Sequence, residues 1–217
     1  MSNHSRSPYA RKVRITLAEK GVPFELQTEV PWNSTTKTKD HNPLEKLPVL
    51  IPEKGDAAYN AHPDPVYESY YILEWLEAYY PPPKYYGIYP SSKADELLAK
   101  QVQVVSDGMC DACVQMFFER QRDAPSKEWT ERQMRKVRGG LKALNDWVGN
   151  KEFILENRLT LADIAAGGVL GYMKVRFQAI DWQSEYPGLK KYIDRLEERQ
   201  SFKDTVPVPQ NITDKIV

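Results

Sequence analysis

The sequence predicts a two-part molecule, a small α/β domain followed by an all-helical one, and three observations carry that reading. Strand-like apolar runs are confined to the first 70 or so positions, Pro81-Pro82-Pro83 interrupts any regular structure, and apolar residues after Ser92 recur at three-to-four spacing with no strand run between them. The expected boundaries are 1–80 for the small domain, 81–91 for a proline-rich linker and 92–217 for the helical domain. A chain of 217 residues, 41% hydrophobic and 11% aromatic, is long and apolar enough to build both cores.

Charge and cysteine usage narrow the function classes. Lysine plus arginine equals aspartate plus glutamate at 30 each, so there is no bulk basic field for nucleic acid or an anionic membrane. Met1 to Lys12 is polar with no signal-peptide core, and no stretch approaches the roughly 20 apolar residues of a membrane span. The expectation is a cytoplasmic protein whose partner is a small molecule or another protein. The two cysteines, Cys110 and Cys113, are too few for a disulfide framework and have no histidines at zinc-site spacing, so no metal is expected. Their Cys-x-x-Cys spacing lies inside a long helical pattern, which reads as two packed thiols instead of a redox dithiol. The run Arg135, Lys136, Arg138 and Lys142 reads as a solvated helix face beside the apolar stripe of Val137 and Leu141. Asn211-Ile212-Thr213 matches a glycosylation acceptor, without consequence in a chain with no secretion signal.

Along the chain, Ser7 is an N-cap, Pro8 the first helical position and Gly21 the terminator of a helix over Tyr9 to Lys20. Phe24 to Val30 reads as a half-buried strand, Leu47 to Ile51 as a compact strand and Val66-Tyr67 as another, with Glu53 to Asp64 as a long hairpin loop. Ser69 caps a further helix with Ile72, Leu73, Leu76 and Tyr80 on one face. In the second half Leu98, Val102, Val105, Met109, Ala112 and Met116 form one stripe, and Met134, Val137, Leu141, Leu144 and Val148 another. Thr160 with Asp163 makes a capping-box-like start to a nearly charge-free helix, which predicts burial on all sides. A last helix carries Leu189, Tyr192, Ile193 and Leu196.

This order of elements and four local motifs resemble cytosolic glutathione transferases. Ser7-Pro8-Tyr9-Ala10-Arg11-Lys12-Val13 with Glu19-Lys20-Gly21 resembles the first helix of the serine-type classes. Asn42-Pro43 with Lys46-Leu47-Pro48-Val49-Leu50 resembles the segment holding their cis-proline, Glu68-Ser69 their glutamyl-binding pair, and Thr160 to Ile164 the capping box of their buried helix. Within the family, Asp107-Gly108 and Asp111-Ala112 are similar to poorly characterised bacterial and fungal members, and the Ser-Ser-Cys signature of the maleylacetoacetate isomerase class is absent.

The resemblance implies a thioredoxin-like N-terminal domain, an all-α C-terminal domain of five helices, a homodimer, and glutathione as cosubstrate with a hydrophobic electrophile as its partner. A free thiol with a pKa of about 8.5 is mostly protonated at neutral pH, so such an enzyme must favour the thiolate. Ser7 is the catalytic candidate, its hydroxyl and the N-terminus of the first helix stabilising the anion, and the competing reading is a plain N-cap. If Pro48 is cis, as the family implies, the backbone of Leu47 pairs with the cysteinyl part of glutathione like an added strand; the alternative is an ordinary proline at a strand start. Ser69 and the helix N-terminus would take the γ-glutamyl carboxylate, Glu68 its ammonium and Lys46 the glycyl carboxylate, against an ordinary cap for Ser69 and a solvated charge for Lys46.

Two features depart from the family pattern. Only the short polar Met1 to Arg6 is available for the apolar strand expected before Ser7, so either the first strand is shortened or missing, the neighbouring strands are rearranged, or the natural chain starts elsewhere. Asp56 to Pro65 replaces a tight turn, and as a long loop next to Glu68 it is a candidate cover for the glutathione site, with His62 a possible contact. Beside the enzyme stand a non-catalytic regulatory or ligand-binding relative, favoured by the stunted strand, and a thiol-transfer or ether-cleaving activity, the former better served by a cysteine at position 7.

Overall fold

The computed structural model describes residues 7–208 and 212–216, so the expected first strand over residues 1–6 lies outside the described residues. The chain packs as two units. One extends to Ile88 and takes back Ser201–Asp214, and the other is centred on Tyr89–Gln200. The division falls inside the proline-rich 81–91 stretch.

In the small unit, helix α1 spans Pro8–Lys20 between the signals read from sequence. The Ser7 hydroxyl accepts from the Ala10 amide at 3.2 Å. At the other end Gly21 adopts φ 65°, a left-handed cap that costs a glycine little. The helix buries Val13, Ile15 and Leu17, and also four cations, Arg11, Lys12, Arg14 and Lys20. Hydrogen bonds and a ring contact offset part of that burial, although Arg14 keeps Nε and Nη1 buried without a hydrogen-bond partner among the described residues, and burial lowers its pKa. Arg11 donates to the Phe202 carbonyl at 3.2 Å with its guanidinium 5.4 Å from the Phe202 ring centre, and Arg14 donates to the Asp204 carbonyl at 2.9 Å. The 201–205 segment is thus held onto α1.

Strands β1 (Val49–Leu50) and β2 (Val66–Tyr67) pair antiparallel, with Val49 opposite Tyr67 and Leu50 opposite Val66. Two strand expectations are corrected. Phe24 to Val30 forms no strand: Phe24 is 41% exposed and no residue of the run is buried, so the alternation that suggested it has no core face to serve. The strand over Leu47 to Ile51 shrinks to two residues, with Ile51 half exposed. Nor is the connection to β2 purely a loop. It contains helix α2 (Ala57–Ala61), which forms because Asp56 accepts from the Ala58 amide at 2.8 Å and Ala58 is buried. Helix α3 (Ser69–Tyr79) packs on α1 and buries Ile72, Leu73, Trp75 and Leu76. The Lys20 ammonium, with its side chain fully buried, joins both helices to the start of the linker. It donates to Glu77 at 2.6 Å and to the carbonyls of Tyr80 at 3.0 Å and Tyr86 at 2.8 Å.

The helical unit is built on α4 (Lys93–Glu119), α5 (Lys127–Val148) and α6 (Leu161–Arg176), with α4 packed against both others. Ser92 and Ser126 cap α4 and α5 through the Asp95 and Trp129 amides. Every residue from Leu161 to Met173 is buried, as the charge-free run implied. Asp163 at its start accepts from the Thr160 amide and hydroxyl at 2.8 and 2.9 Å, from the Ile154 amide at 2.8 Å and from the Tyr192 hydroxyl at 2.8 Å. Burial pushes its carboxyl up in pKa and these four donors pull it down, with burial dominant. Tyr192 belongs to α8 (Pro187–Glu197), which follows the short α7 (Trp182–Glu185) and precedes the short α9 (Gln200–Lys203). The helices after the linker therefore number six among the described residues, two of them single turns. Both cysteines are buried in α4, and burial raises Cys113 to about 12. No helix among the described residues is long and apolar enough to cross a membrane.

Candidate functional site

The sequence-nominated residues fall on three junctions of the small unit. The first is the loop into β1. Asn42, only 2% exposed, folds this loop around itself: its side-chain amide donates to the Lys46 carbonyl at 2.8 Å and its side-chain oxygen accepts from the Leu44 amide at 2.9 Å. Lys46 is exposed and its ammonium makes no ion pair among the described residues. The Leu47–Pro48 peptide is cis and Pro48 is buried. Neither the N–H nor the C=O of Leu47 is engaged in a backbone hydrogen bond among the described residues.

The second junction is the entry from β2 into α3. Glu68 has φ 75° and ψ 119°. That conformation is costly for a residue with a Cβ, of order 1–3 kcal/mol, and persists only where the surroundings enforce it. Here the enforcing contacts are local. The Glu68 carboxylate accepts from the Tyr71 amide at 3.2 Å and from the Ser69 hydroxyl at 3.3 Å, which makes Glu68 the side-chain cap of α3. Ser69, expected as that cap, is instead the first helical residue and is 1% exposed. Extending the β1–β2 register by one step places Pro48 opposite Glu68. The Leu47–Pro48 and Glu68–Ser69 pairs therefore leave the two-stranded ladder at the same end.

The third junction is the start of α1, where Ser7 is half-buried. Ser7 makes no hydrogen bond with Pro48, Glu68 or Ser69. Its position follows from the helix pair: α1 packs on α3 and Lys20 fastens their C-terminal ends, so both N-terminal ends point to the same side. As a cap, the Ser7 oxygen accepts; its own proton is uncommitted among the described residues, because a hydroxyl carries one donor and two acceptor positions. Capping and donation to a thiolate are compatible in one serine.

His62 is turned elsewhere. Its ring lies 6.4 Å from that of Trp75, two turns along α3 from Glu68. Two further residues have positioning roles. Lys20 and Asn42 both lie in motifs that carry the family resemblance, but the sequence names no partner for either, so the roles of Lys20 in fastening two helices and of Asn42 in shaping the loop come from the structure.

Residues 6–78 match the glutathione S-transferase N-terminal domain and residues 127–195 the glutathione S-transferase C-terminal domain. A glutathione S-transferase from Methylobacterium radiotolerans, solved in complex with glutathione sulfonate, is 50% identical and superposes with a TM-score of 0.90 over 99% of this chain and 97% of that one. Another, from Methylobacillus flagellatus and solved with GSH bound, is 32% identical with a TM-score of 0.83 over 94% and 96% of the two chains. The uncharacterised GST-like protein YibF of Escherichia coli K12 is 30% identical over 93% of this chain and 95% of its own length. Matched in both halves and over nearly its whole length, the chain belongs to the glutathione S-transferase family, with a thioredoxin-like N-terminal domain and a helical C-terminal domain.

Proposed function

We propose that this protein is a glutathione transferase that holds glutathione on its small domain and activates the thiol for attack on a hydrophobic electrophile. The observation that carries the reading is Glu68, a cis-proline-facing residue held at positive φ with its carboxylate at the start of a helix. Backbone strain kept in place by local hydrogen bonds marks a position serving something other than packing. A carboxylate has about four acceptor positions, and the Tyr71 and Ser69 bonds leave room for the ammonium of a γ-glutamyl group. The partial positive charge at the α3 N-terminus suits that group's carboxylate, and Ser69 can rotate its proton from Glu68 to the ligand. The unengaged backbone of Leu47 suits strand-like pairing with the cysteinyl unit, and exposed Lys46 suits the glycyl carboxylate. Ser7 is the proposed catalytic residue: its hydroxyl keeps its proton and donates a hydrogen bond to the sulfur, which favours the thiolate as the thiol proton leaves to solvent.

Two relatives solved with glutathione or its sulfonate support glutathione as the cosubstrate. The thiolate sulfur lone pair becomes the carbon–sulfur bond; in substitution the leaving group departs with the pair of its bond to that carbon, and in addition the π pair of the double bond shifts onto the activating group, which takes a proton from water. The proposed setting is a cytoplasmic homodimer in detoxification, the dimer supported by Leu97 and Val104, 58% and 56% exposed on α4.

The test is retention on immobilised glutathione together with turnover of a generic aromatic electrophile, for the wild type and Ser7→Ala. The proposal expects retention by both and a turnover loss of about 10²-fold or more in the variant, the range of a lost positioned donor. Retention without turnover in either protein contradicts the enzyme. Lost stability with an unchanged rate per folded molecule makes Ser7 only a cap.

A further inference from the structure

We propose that the small domain carries a second binding site, for a small organic ammonium ion, at the C-terminal end of α3. A cavity of about 450 Å³ opens there, lined by Asp56, Tyr79, Tyr80, Pro81, Lys84 and Tyr85 among others. It is separate from the proposed glutathione site: α3 begins at Ser69 and ends at Tyr79, about 15 Å further along the helix axis.

The walls are aromatic and set at an angle. The Tyr80 and Tyr85 rings lie 5.2 Å apart at 89°, an edge-to-face contact that sets their planes at right angles beside the cavity. Tyr79 adds a third ring, held by its contact with buried Trp75 at 4.5 Å. A π face is the negative part of a ring's quadrupole, and several faces around one cavity favour a weakly hydrated cation. The charge on the wall agrees. Asp56 lines the cavity and accepts from the Ala58 amide at 2.8 Å, which leaves part of its acceptor capacity open. Its influence on Tyr80 is visible: burial first, then the hydrogen bond to Asp56, raise that phenol to about 12.

The chain itself demonstrates the recognition. The Lys84 ammonium sits 4.9 Å from the centre of the Tyr85 ring, and this exposed lysine forms no ion pair among the described residues. Lys84 is thus an internal stand-in, a primary ammonium resting on one wall of the cavity. A free methylated ammonium, less hydrated and able to touch several faces at once, competes with it. An anionic ligand is disfavoured by Asp56 and by the ring faces themselves.

The experiment titrates the full-length protein with tetramethylammonium, read by tryptophan fluorescence because Trp75 contacts Tyr79, with neutral tert-butanol as the isosteric control. Saturable binding of the cation and not of the alcohol is expected, weakened about fivefold or more by Tyr85→Leu and by Asp56→Asn, the latter keeping a competent helix cap. Lys84→Ala, on an exposed residue, is expected to strengthen binding about threefold by removing the competitor. Retention on immobilised glutathione stays unchanged in all three variants, which separates this site from the proposed catalytic one. No saturable binding to either the wild type or Lys84→Ala overturns the proposal, as does equal binding of the alcohol, or a loss of affinity in Lys84→Ala.

Discussion

Replacing Lys20 with methionine tests how the small domain holds its two site-bearing helices in register. The two side chains are close in length and volume, so the change removes a buried ammonium and three hydrogen bonds without opening a cavity. What remains is the Glu77 carboxylate, 17% exposed, with the Ile88 amide at 3.3 Å, and the carbonyls of Tyr80 and Tyr86, each losing its Lys20 donor. Removing one partner of a buried ion pair costs about 3–5 kcal/mol. The residual exposure of Glu77 lets water recover part of its solvation, which places the loss near the lower end, about 3 kcal/mol. For a chain of this size that corresponds to a fall in Tm of roughly 6–12 °C. Urea unfolding followed by circular dichroism measures it, with the midpoint falling and the slope unchanged. Adding Glu77→Met to Lys20→Met recovers part of the loss, because the stranded charge is gone. A loss under about 1 kcal/mol, or a double variant as unstable as the sum of the single ones, refutes the argument that the penalty is an uncompensated buried charge.

Other consequences follow from contacts elsewhere. A Cβ at Gly140 would stand 2.3 Å from both Cγ and Sδ of Met109, so Gly140→Ala is expected to lose about 1–3 kcal/mol, and the double variant with Met109→Ala to lose less than the sum of the two single losses; an unchanged midpoint removes the idea that α4 and α5 meet through this glycine. Cys113, raised to about 12, and Cys110, 2% exposed, are expected to resist a thiol reagent in the native state and react after unfolding. Rapid native-state labelling of either contradicts this. Tyr80 ionises near 12 in the folded protein against about 10 unfolded. Its contribution is therefore fully present below pH 10 and is lost as pH rises from 10 towards 12, since the unfolded chain releases the proton first. Wild type and Tyr80→Phe should differ in stability slope over that interval; parallel slopes contradict the raised value.

What the sequence disclosed is local. Ser7, Pro8 and Gly21 bound α1 because caps act on backbone groups a few residues away, and Thr160 with Asp163 begins α6 for the same reason. The order of motifs was enough to nominate Lys46, Leu47, Pro48, Glu68 and Ser69, and the ladder register sets Pro48 opposite Glu68. Features needing a distant partner stayed hidden. Phe24 to Val30 has a passable strand pattern, but pattern cannot supply a core face, and Phe24 remains exposed. Lys20 is part of the first-helix motif, but nothing local shows that Glu77 and the carbonyls of Tyr80 and Tyr86 will surround it. The exchange of roles at α3, with Glu68 capping and Ser69 inside the helix, depends on a positive φ that no side-chain preference of glutamate announces. Within 56–65, Asp56 followed by two alanines was a helix start too short for periodicity to register.

If the Ser7 hydroxyl donates a hydrogen bond to the glutathione sulfur, the bound thiol ionises more readily, and the ultraviolet absorbance of the thiolate in the protein–glutathione complex reports that ionisation. Titrated against pH, glutathione bound to the wild type is expected to ionise well below the free thiol's pKa of about 8.5. Bound to Ser7→Ala it is expected to ionise close to that free value. Equal ionisation in the two complexes, at comparable glutathione occupancy, contradicts the account and leaves Ser7 with its 3.2 Å bond to the Ala10 amide as a helix cap alone.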